Sequence, residues 1–420
     1  MSDDRPNIVL VTVDSLRADH CGFMGYEKDT TPNLDRMAED GLVFENAIAP
    51  GPATPESMPV IFTGQWPVDR GNEAASELEA RRERIRAHMN ARETLPEQLQ
   101  RLGYSTGAFT PNPFTSRHFG FDQGFDHFED FMDEQNRGRL YQRVFNGFLE
   151  ESGISSMARV FMNFWQREEV FKPWESYYDD AIEWANDAEE PYFLWVFLMD
   201  AHNPYISSSE HRNQSRLQEF HANFEFWRQS HETPFSDDMH EKLLTAYDDS
   251  IRYSDAFLGR LREDLGDDSV IAVTGDHGEA FGEHGTYGHE PYLYRENVHV
   301  PLVVNGADVR SKKRTDTVSL RSLPTLLSNI ADGTELSDSC FAYAKSAQGG
   351  RDAVYGDKAG VLREPEASDQ VAYHGPGGDQ PVGNADSEQL INYLEEWQRH
   401  LRERKRIERA TVSASDKVNL

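Results

Sequence analysis

NIVLVTV, residues Asn7–Val13, is an unbroken apolar run that stops at Asp14. Seven residues with no polar alternation read as a strand buried on both faces, which belongs in a parallel sheet covered by helices. Two later runs repeat the pattern. Residues 192–199 (YFLWVFLM) lead into Asp200 and His202, and residues 270–275 (VIAVTG) lead into Asp276-His277-Gly278-Glu279. In open α/β sheets, ligands bind beyond the carboxyl ends of the strands. Aspartate and histidine at three such ends, far apart in sequence, predict one composite site on an α/β fold.

The residue types at those ends suggest the chemistry. An adjacent acid and imidazole, Asp276 and His277, reach one ion only if the backbone turns sharply, which Gly278 allows. Such a pair suits Mn, Zn or Fe better than Ca, which prefers all-oxygen shells. Asp14 reads either as a further ligand or as a helix cap. Thr54 opens Thr54-Pro55-Glu56, a common helix start with Thr as cap and Pro in the first turn. It is also the nucleophile candidate, because a coordinated hydroxyl ionises near neutral pH. His202 and His289 are candidates for binding an anionic ester or protonating a leaving group. Together with His284, and beside the acid–His pair, they favour a hydrolytic anion site, while Glu279 and Glu283 read as capping or solvated groups.

Composition narrows the partners. The 420 residues carry 73 acidic against 42 basic side chains, a net charge of −31. With 38% hydrophobic residues the chain folds, so the acid coats a surface, as in adaptation to a high-salt cytoplasm. Nucleic acid and anionic membranes are disfavoured. Nothing at the N-terminus reads as a targeting signal, and no run approaches the ~18 apolar residues of a membrane span. A cytoplasmic location is expected, with Cys21 and Cys340 packed rather than functional; oligomeric state is open.

Along the chain, residues 1–310 carry the strand–helix alternation of a catalytic domain. Residues 95–102 predict a helix capped by Thr94 and Glu97, followed by a strand over 104–110. Residues 70–92 read as a charged surface excursion. Tyr141, Phe145, Phe148, Phe161, Phe164 and Trp165 fall on predicted aromatic-rich helices between 131 and 190. Further helices are expected over 241–261 and 319–330. A smaller C-terminal subdomain is expected over 311–358 and a loop or linker over 359–386. The last unit, 387–420, carries a helix over 388–409 that docks through Leu390, Tyr393, Leu394, Trp397 and Leu401.

Taken in order, several segments resemble the sulfatase branch of the alkaline phosphatase superfamily. They are Arg5-Pro-Asn-Ile-Val-Leu with Val13-Asp14-Ser-Leu-Arg17, the Thr54-to-Gly64 segment with Gln65-Trp-Pro67, and Leu102-Gly-Tyr-Ser-Thr106. Met199-Asp-Ala-His202-Asn-Pro-Tyr205, Thr274-Gly-Asp-His-Gly-Glu279, Gly282-Glu-His-Gly285 and Val300-Pro-Leu302 complete the set, so that the likeness covers about residues 5–335. The resemblance implies an alkaline-phosphatase-like α/β/α sandwich with a mostly parallel central sheet. It also implies a divalent metal (Mn, Zn or Ca, with Mn or Zn favoured and a second ion left open) at Asp14, Asp276, His277 and Thr54. Sulfatases place Cys-x-Pro-x-Arg at the nucleophile, where this chain has Thr54-Pro-Glu-Ser-Met58, so formylglycine cannot form. His289 stands where the family commonly has a lysine. The expected substrate is a small-molecule or glycan sulfate or phosphate ester, hydrolysed through Thr54. A phosphotransferase or mutase, and an inactive anion-binding homologue, remain as alternatives.

Overall fold

The computed structural model describes residues 5–67, 77–132, 172–228, 234–266, 269–289, 291–306, 309–334, 341–346, 350–357, 359–363, 371–375, 378–381 and 385–418. Its strands in chain order begin with β1 (Asn7–Val13), β2 (Leu42–Ile48), β3 (Ser105–Phe109), β4 (His127–Glu129), β5 (Tyr192–Leu198) and β6 (Ser269–Gly275). There follow β7 (Ala280–Phe281), β8 (Tyr287–Gly288), β9 (His299–Asn305) and β10 (Lys312–Ser319). The last are β11 (Phe341–Lys345), β12 (Asp352–Gly356), β13 (Gly360–Arg363), β14 (Val371–Gly375) and β15 (Gly378–Pro381).

Eight strands form one sheet in the order β10-β2-β9-β6-β1-β5-β3-β4. Only β9 runs antiparallel to its neighbours β2 and β6. Every residue of β1, β5 and β6 is buried, as the apolar runs predict. Alternate side chains feed two cores, one on each face. Ile8 and Leu10 join Phe62, Met89, Leu99 and Leu327 from the helices Thr54–Thr63, Glu77–Asn90, Leu95–Arg101 and Leu323–Asp332. Val9 and Val11 join Leu34, Ala181 and Phe257 from the helices Pro32–Asp40, Tyr178–Asp187 and Asp237–Leu265 on the other face. The result is the expected α/β/α sandwich with a mostly parallel sheet.

The predicted helix after Thr94 forms with its capping box, the Thr94 N–H donating to Glu97 at 2.8 Å. Other readings need correction. Residues 77–90 of the charged stretch are not a surface excursion: their helix buries Ile85, His88 and Met89, because one side of it packs on the Thr54–Thr63 helix. The break placed at 310 falls inside the large sheet, since β10 pairs with β2. The Gly- and Pro-rich stretch read as linker contains β13, β14 and β15, which complete an antiparallel five-stranded sheet with β11 and β12. Those strands are short and find their partners through neighbouring hairpins, so they leave no long apolar run to read.

The helix Ala385–Val418 docks on this small sheet, burying Leu390, Leu394 and Trp397 with Tyr393 and Leu401 partly covered. Trp397 meets Trp66 edge-on at 5.2 Å, which connects the C-terminal helix to the segment just after the Thr54–Thr63 helix. Among the described residues no helix is long and apolar enough to cross a membrane. Cys21 is buried. Cys340 and the six aromatic residues between Tyr141 and Trp165 lie outside the described residues.

Candidate active site

β1 and β6 are parallel neighbours with Val13 opposite Gly275, so Asp14 and Asp276 leave the sheet side by side. Both side chains are fully buried. Ser15 takes a left-handed backbone conformation, φ +59°, which is unusual for a residue with a side chain. Its N–H donates to Asp276 Oδ1 at 3.2 Å, and the His277 N–H donates to the same oxygen at 2.8 Å. The chain then turns at Gly278, where an added Cβ would sit 2.1 Å from the Glu296 carbonyl oxygen. Glycine is required there for the close approach of two backbones.

The turn brings His277 back over the carboxylates. Its Nδ1 lies 2.9 Å from the Gly278 carbonyl, which fixes Nδ1 as the donor and turns Nε2 inward. Nε2 lies 3.3 Å from Asp14 Oδ1 and 3.5 Å from Asp276 Oδ2. One ligand atom each from Asp14, Asp276 and His277 falls within 4.8 Å of the others. Two buried carboxylates this close are costly unless a positive charge compensates them. Burial pushes the Asp276 carboxyl up, with Asp14 adding to the rise against the opposing His277 charge. Burial would raise Asp14 too, but His202, His277 and His289 outweigh it and hold that carboxyl low. Burial opposes charge on His277, yet the two carboxylates overcome it and raise its pKa. The protein thus stabilises a positive charge at this point, and the donor set of two carboxylates and an imidazole fits a divalent cation.

Thr54 joins the cluster from the start of its helix. Ala53 occupies the capping position instead, and the Thr54 hydroxyl makes no cap bond. Thr54 Oγ1 donates to Asp276 Oδ2 at 2.8 Å and lies 3.4 Å from His277 Nε2. Ser57, one turn on, donates to the Asp276 carbonyl at 2.6 Å and holds the helix against the end of β6. Met58 is fully buried in the core, so the position that carries arginine in Cys-x-Pro-x-Arg faces hydrocarbon here.

Asn112 is a member that the sequence reading missed. It follows β3, and its Nδ2 donates to Asp14 Oδ2 at 2.9 Å and to Thr54 Oγ1 at 3.3 Å. Its Oδ1 accepts from the Phe114 N–H at 2.8 Å, which locks the amide orientation. The strand-end rule, applied to the strand predicted over 104–110, would have found it.

The histidines line up beside the cluster. The His289 ring centroid lies 4.6 Å from that of His277 and 5.4 Å from that of His202. Burial pushes the His202 pKa down despite the Asp14 charge. Glu279 is buried, not a solvated cap, and its Oε1 lies 3.1 Å from His289 Nδ1. Glu283 pairs with the buried Arg17. His284 stands apart, stacked on Tyr294 at 4.0 Å. Among the described residues no second set of three metal-ligating groups lies as close together as Asp14, Asp276 and His277.

Comparison with known proteins follows the same lines. Residues 6–332 match the family model for sulfatases. N-acetylgalactosamine-6-sulfatase of Mus musculus is 33% identical over 231 residues, which are 49% of this chain and 41% of that protein. N-acetylglucosamine-6-O-sulfatase of Bacteroides thetaiotaomicron is 25% identical over 199 residues, 46% of this chain and 33% of that protein. The chain thus spans 41% or less of the length of these curated relatives. Among solved structures, the phosphonate monoester hydrolase of Agrobacterium radiobacter superposes with a TM-score of 0.64 at 16% identity, covering 96% of each chain. A protein solved with its substrate D-glucosamine-2-N,6-O-disulfate superposes with a TM-score of 0.65 at 14% identity, covering 95% of this chain and 98% of that one. At these identities the structural likeness establishes the fold.

Proposed function

Because the chain belongs to the sulfatase family, we propose that it is a metal-dependent hydrolase of sulfate or phosphate esters with Thr54 as its nucleophile. The observation that carries this reading is the 2.8 Å hydrogen bond from Thr54 Oγ1 to Asp276 Oδ2 inside the Asp14–Asp276–His277 cluster. A divalent cation held by Asp14, Asp276 and His277 would supply positive charge against the transferred group.

Thr54 passes its hydroxyl proton to Asp276 Oδ2 while Oγ1 attacks the sulfur or phosphorus. The bond to the leaving oxygen breaks and its electron pair stays on that oxygen, which His289 or His202 protonates. Asn112 Nδ2 and the N-terminus of the Thr54–Thr63 helix face the charge that develops on the transferred group. Water then cleaves the Thr54 ester at sulfur or phosphorus, releasing inorganic sulfate or phosphate (a phosphate monoester where the substrate is a diester), and the Asp276 proton returns to Oγ1 to restore the hydroxyl. The substrate class is a small-molecule or glycan ester. Threonine in place of the formylglycine precursor favours phosphate esters on nucleophile chemistry, whereas the curated relatives are named as sulfatases. An acceptor alcohol replacing water in the last step would make the same site a transferase.

The test is turnover of paired nitrophenyl sulfate, phosphate monoester and phosphodiester substrates in high salt with added Mn, Zn or Ca. Metal-dependent activity on one ester class is expected, lost by at least about 10³-fold in Thr54→Ala and largely kept in Thr54→Ser. Full activity in Thr54→Ala would refute the nucleophile. Loss of metal dependence would refute the cluster as the ion site.

A further inference from the structure

Glu279 is a carboxylate buried to 1% exposure beside a site that already holds two others. Its place is fixed from the backbone, because Arg17 Nη1 donates to the Glu279 carbonyl at 2.9 Å. Glu279 Oε1 lies 3.1 Å from His289 Nδ1, while the His289 ring packs against the rings of His277 and His202. The loop that carries His289 is held as well: Asn297 Nδ2 donates to the Gly288 carbonyl at 3.0 Å, and Gly288 has φ +91°. His289 keeps 22% of its side-chain surface open, whereas Glu279 on its Nδ1 side is buried.

A carboxylate on Nδ1 determines what the other nitrogen does. It keeps a proton on Nδ1, sets the ring plane, and leaves Nε2 as the nitrogen that exchanges a proton with the substrate. We propose that Glu279 is a positioning residue that orients His289 to protonate the leaving oxygen through Nε2. The inference deepens the ester-hydrolase reading and rests on it for its kinetic arm. As the ester oxygen separates with its electron pair, the Nε2 proton moves to it and the alcohol departs, while Nδ1–H stays on Glu279. In the second step the attacking water returns a proton to Nε2, so the enzyme ends as it began.

The prediction is a loss that depends on the leaving group. A nitrophenolate leaves without much help, whereas an alkoxide needs the proton. Glu279→Gln should lower kcat by about 10-fold on a nitrophenyl ester and by about 10³-fold on the matching alkyl ester, with little change in KM. Glu279→Asp should recover part of the alkyl-ester rate. Equal losses on both esters, or none, would overturn the proposal. An arm independent of turnover uses histidine labelled with ¹⁵N in the metal-loaded protein. His289, assigned through His289→Gln, should show a protonated Nδ1 that Glu279→Ala, which leaves no acceptor on that side of the ring, removes. If that signal persists in the variant, Glu279 does not set the tautomer. A wild type that hydrolyses no ester but shows the Nδ1 change would refute the hydrolase reading while sustaining the pairing.

Discussion

Asn112 donates both to Asp14 Oδ2 at 2.9 Å and to Thr54 Oγ1 at 3.3 Å, so one amide bridges a candidate metal ligand and the candidate nucleophile. A fixed donor beside the reacting oxygen acts mainly on the transition state, and removing one such donor typically costs about 10²–10³ in kcat. Asn112→Ala is therefore expected to lower kcat by about that factor while leaving the cation affinity, measured by Mn or Zn titration, within several-fold of wild type. A proportional loss of metal binding would show that the amide holds Asp14 instead. Asn112 was legible only through its place after the strand predicted over 104–110, because an Asn in a Pro-rich turn offers no sign of its own of what it faces. Asp14, Asp276 and His277 could be read because each directly ends an apolar run, so the strand itself fixes where the side chain emerges. Glu279 was misread for the opposite reason: its partner His289 is ten residues on, across the short β7–β8 hairpin, and nothing local announces the pairing.

The same contrast holds between elements. The two-sided strands were visible because burial on both faces leaves nothing polar to interrupt them, whereas β13 to β15 are strands of only four or five residues in an antiparallel sheet. Contacts between helices were invisible in the same way. Asp255, on the Asp237–Leu265 helix, caps a different helix: its carboxylate accepts from the Asn33 and Leu34 N–H groups, both at 2.8 Å, at the start of Pro32–Asp40. Asp255→Ala strands one buried and one part-buried donor and is expected to cost about 1–3 kcal/mol of stability in denaturant melts, with Asn recovering part. His88 ties the Glu77–Asn90 helix to the Thr54–Thr63 helix, its Nε2 lying 2.8 Å from Thr63 Oγ1. Burial, helped by the Arg92 charge, pushes its pKa down to about 3. The unfolded chain therefore takes up this proton near pH 6.5 while the folded one does not. Stability from neutral His88 is complete above pH 6.5 and falls as pH drops towards 3, by about 1.4 kcal/mol per unit. His88→Gln should shift the stability-versus-pH curve by that slope within the window and leave it parallel above. A difference curve that is flat from pH 6.5 to 3 would mean that His88 charges within the fold.

For the whole molecule the governing quantity is the net charge of −31. Two electrostatic effects respond to salt in opposite directions. Exposed pairs such as Arg260–Asp179 and Lys242–Asp238 lose attraction as salt rises, but each is worth only about 0–1 kcal/mol. Repulsion among the excess acids acts over the entire surface, and compaction on folding brings those charges closer together. The Debye length shortens from about 10 Å at 0.1 M to about 3 Å at 1 M, which removes long-range repulsion while contact pairs keep part of their attraction. Repulsion should therefore dominate, and the melting temperature should climb steeply with KCl up to about 1 M. A screening effect then levels off, whereas preferential exclusion of a salt such as sulfate continues to stabilise at higher concentration. Melting curves in KCl and in potassium sulfate at matched ionic strength separate the two. Coincident curves that flatten near 1 M would assign the stabilisation to charge screening. A melting temperature that is flat or falling over the first molar of KCl would show that the acidic surface does not destabilise this fold, and that its charge has no part in setting the conditions under which the Asp14–Asp276–His277 site forms.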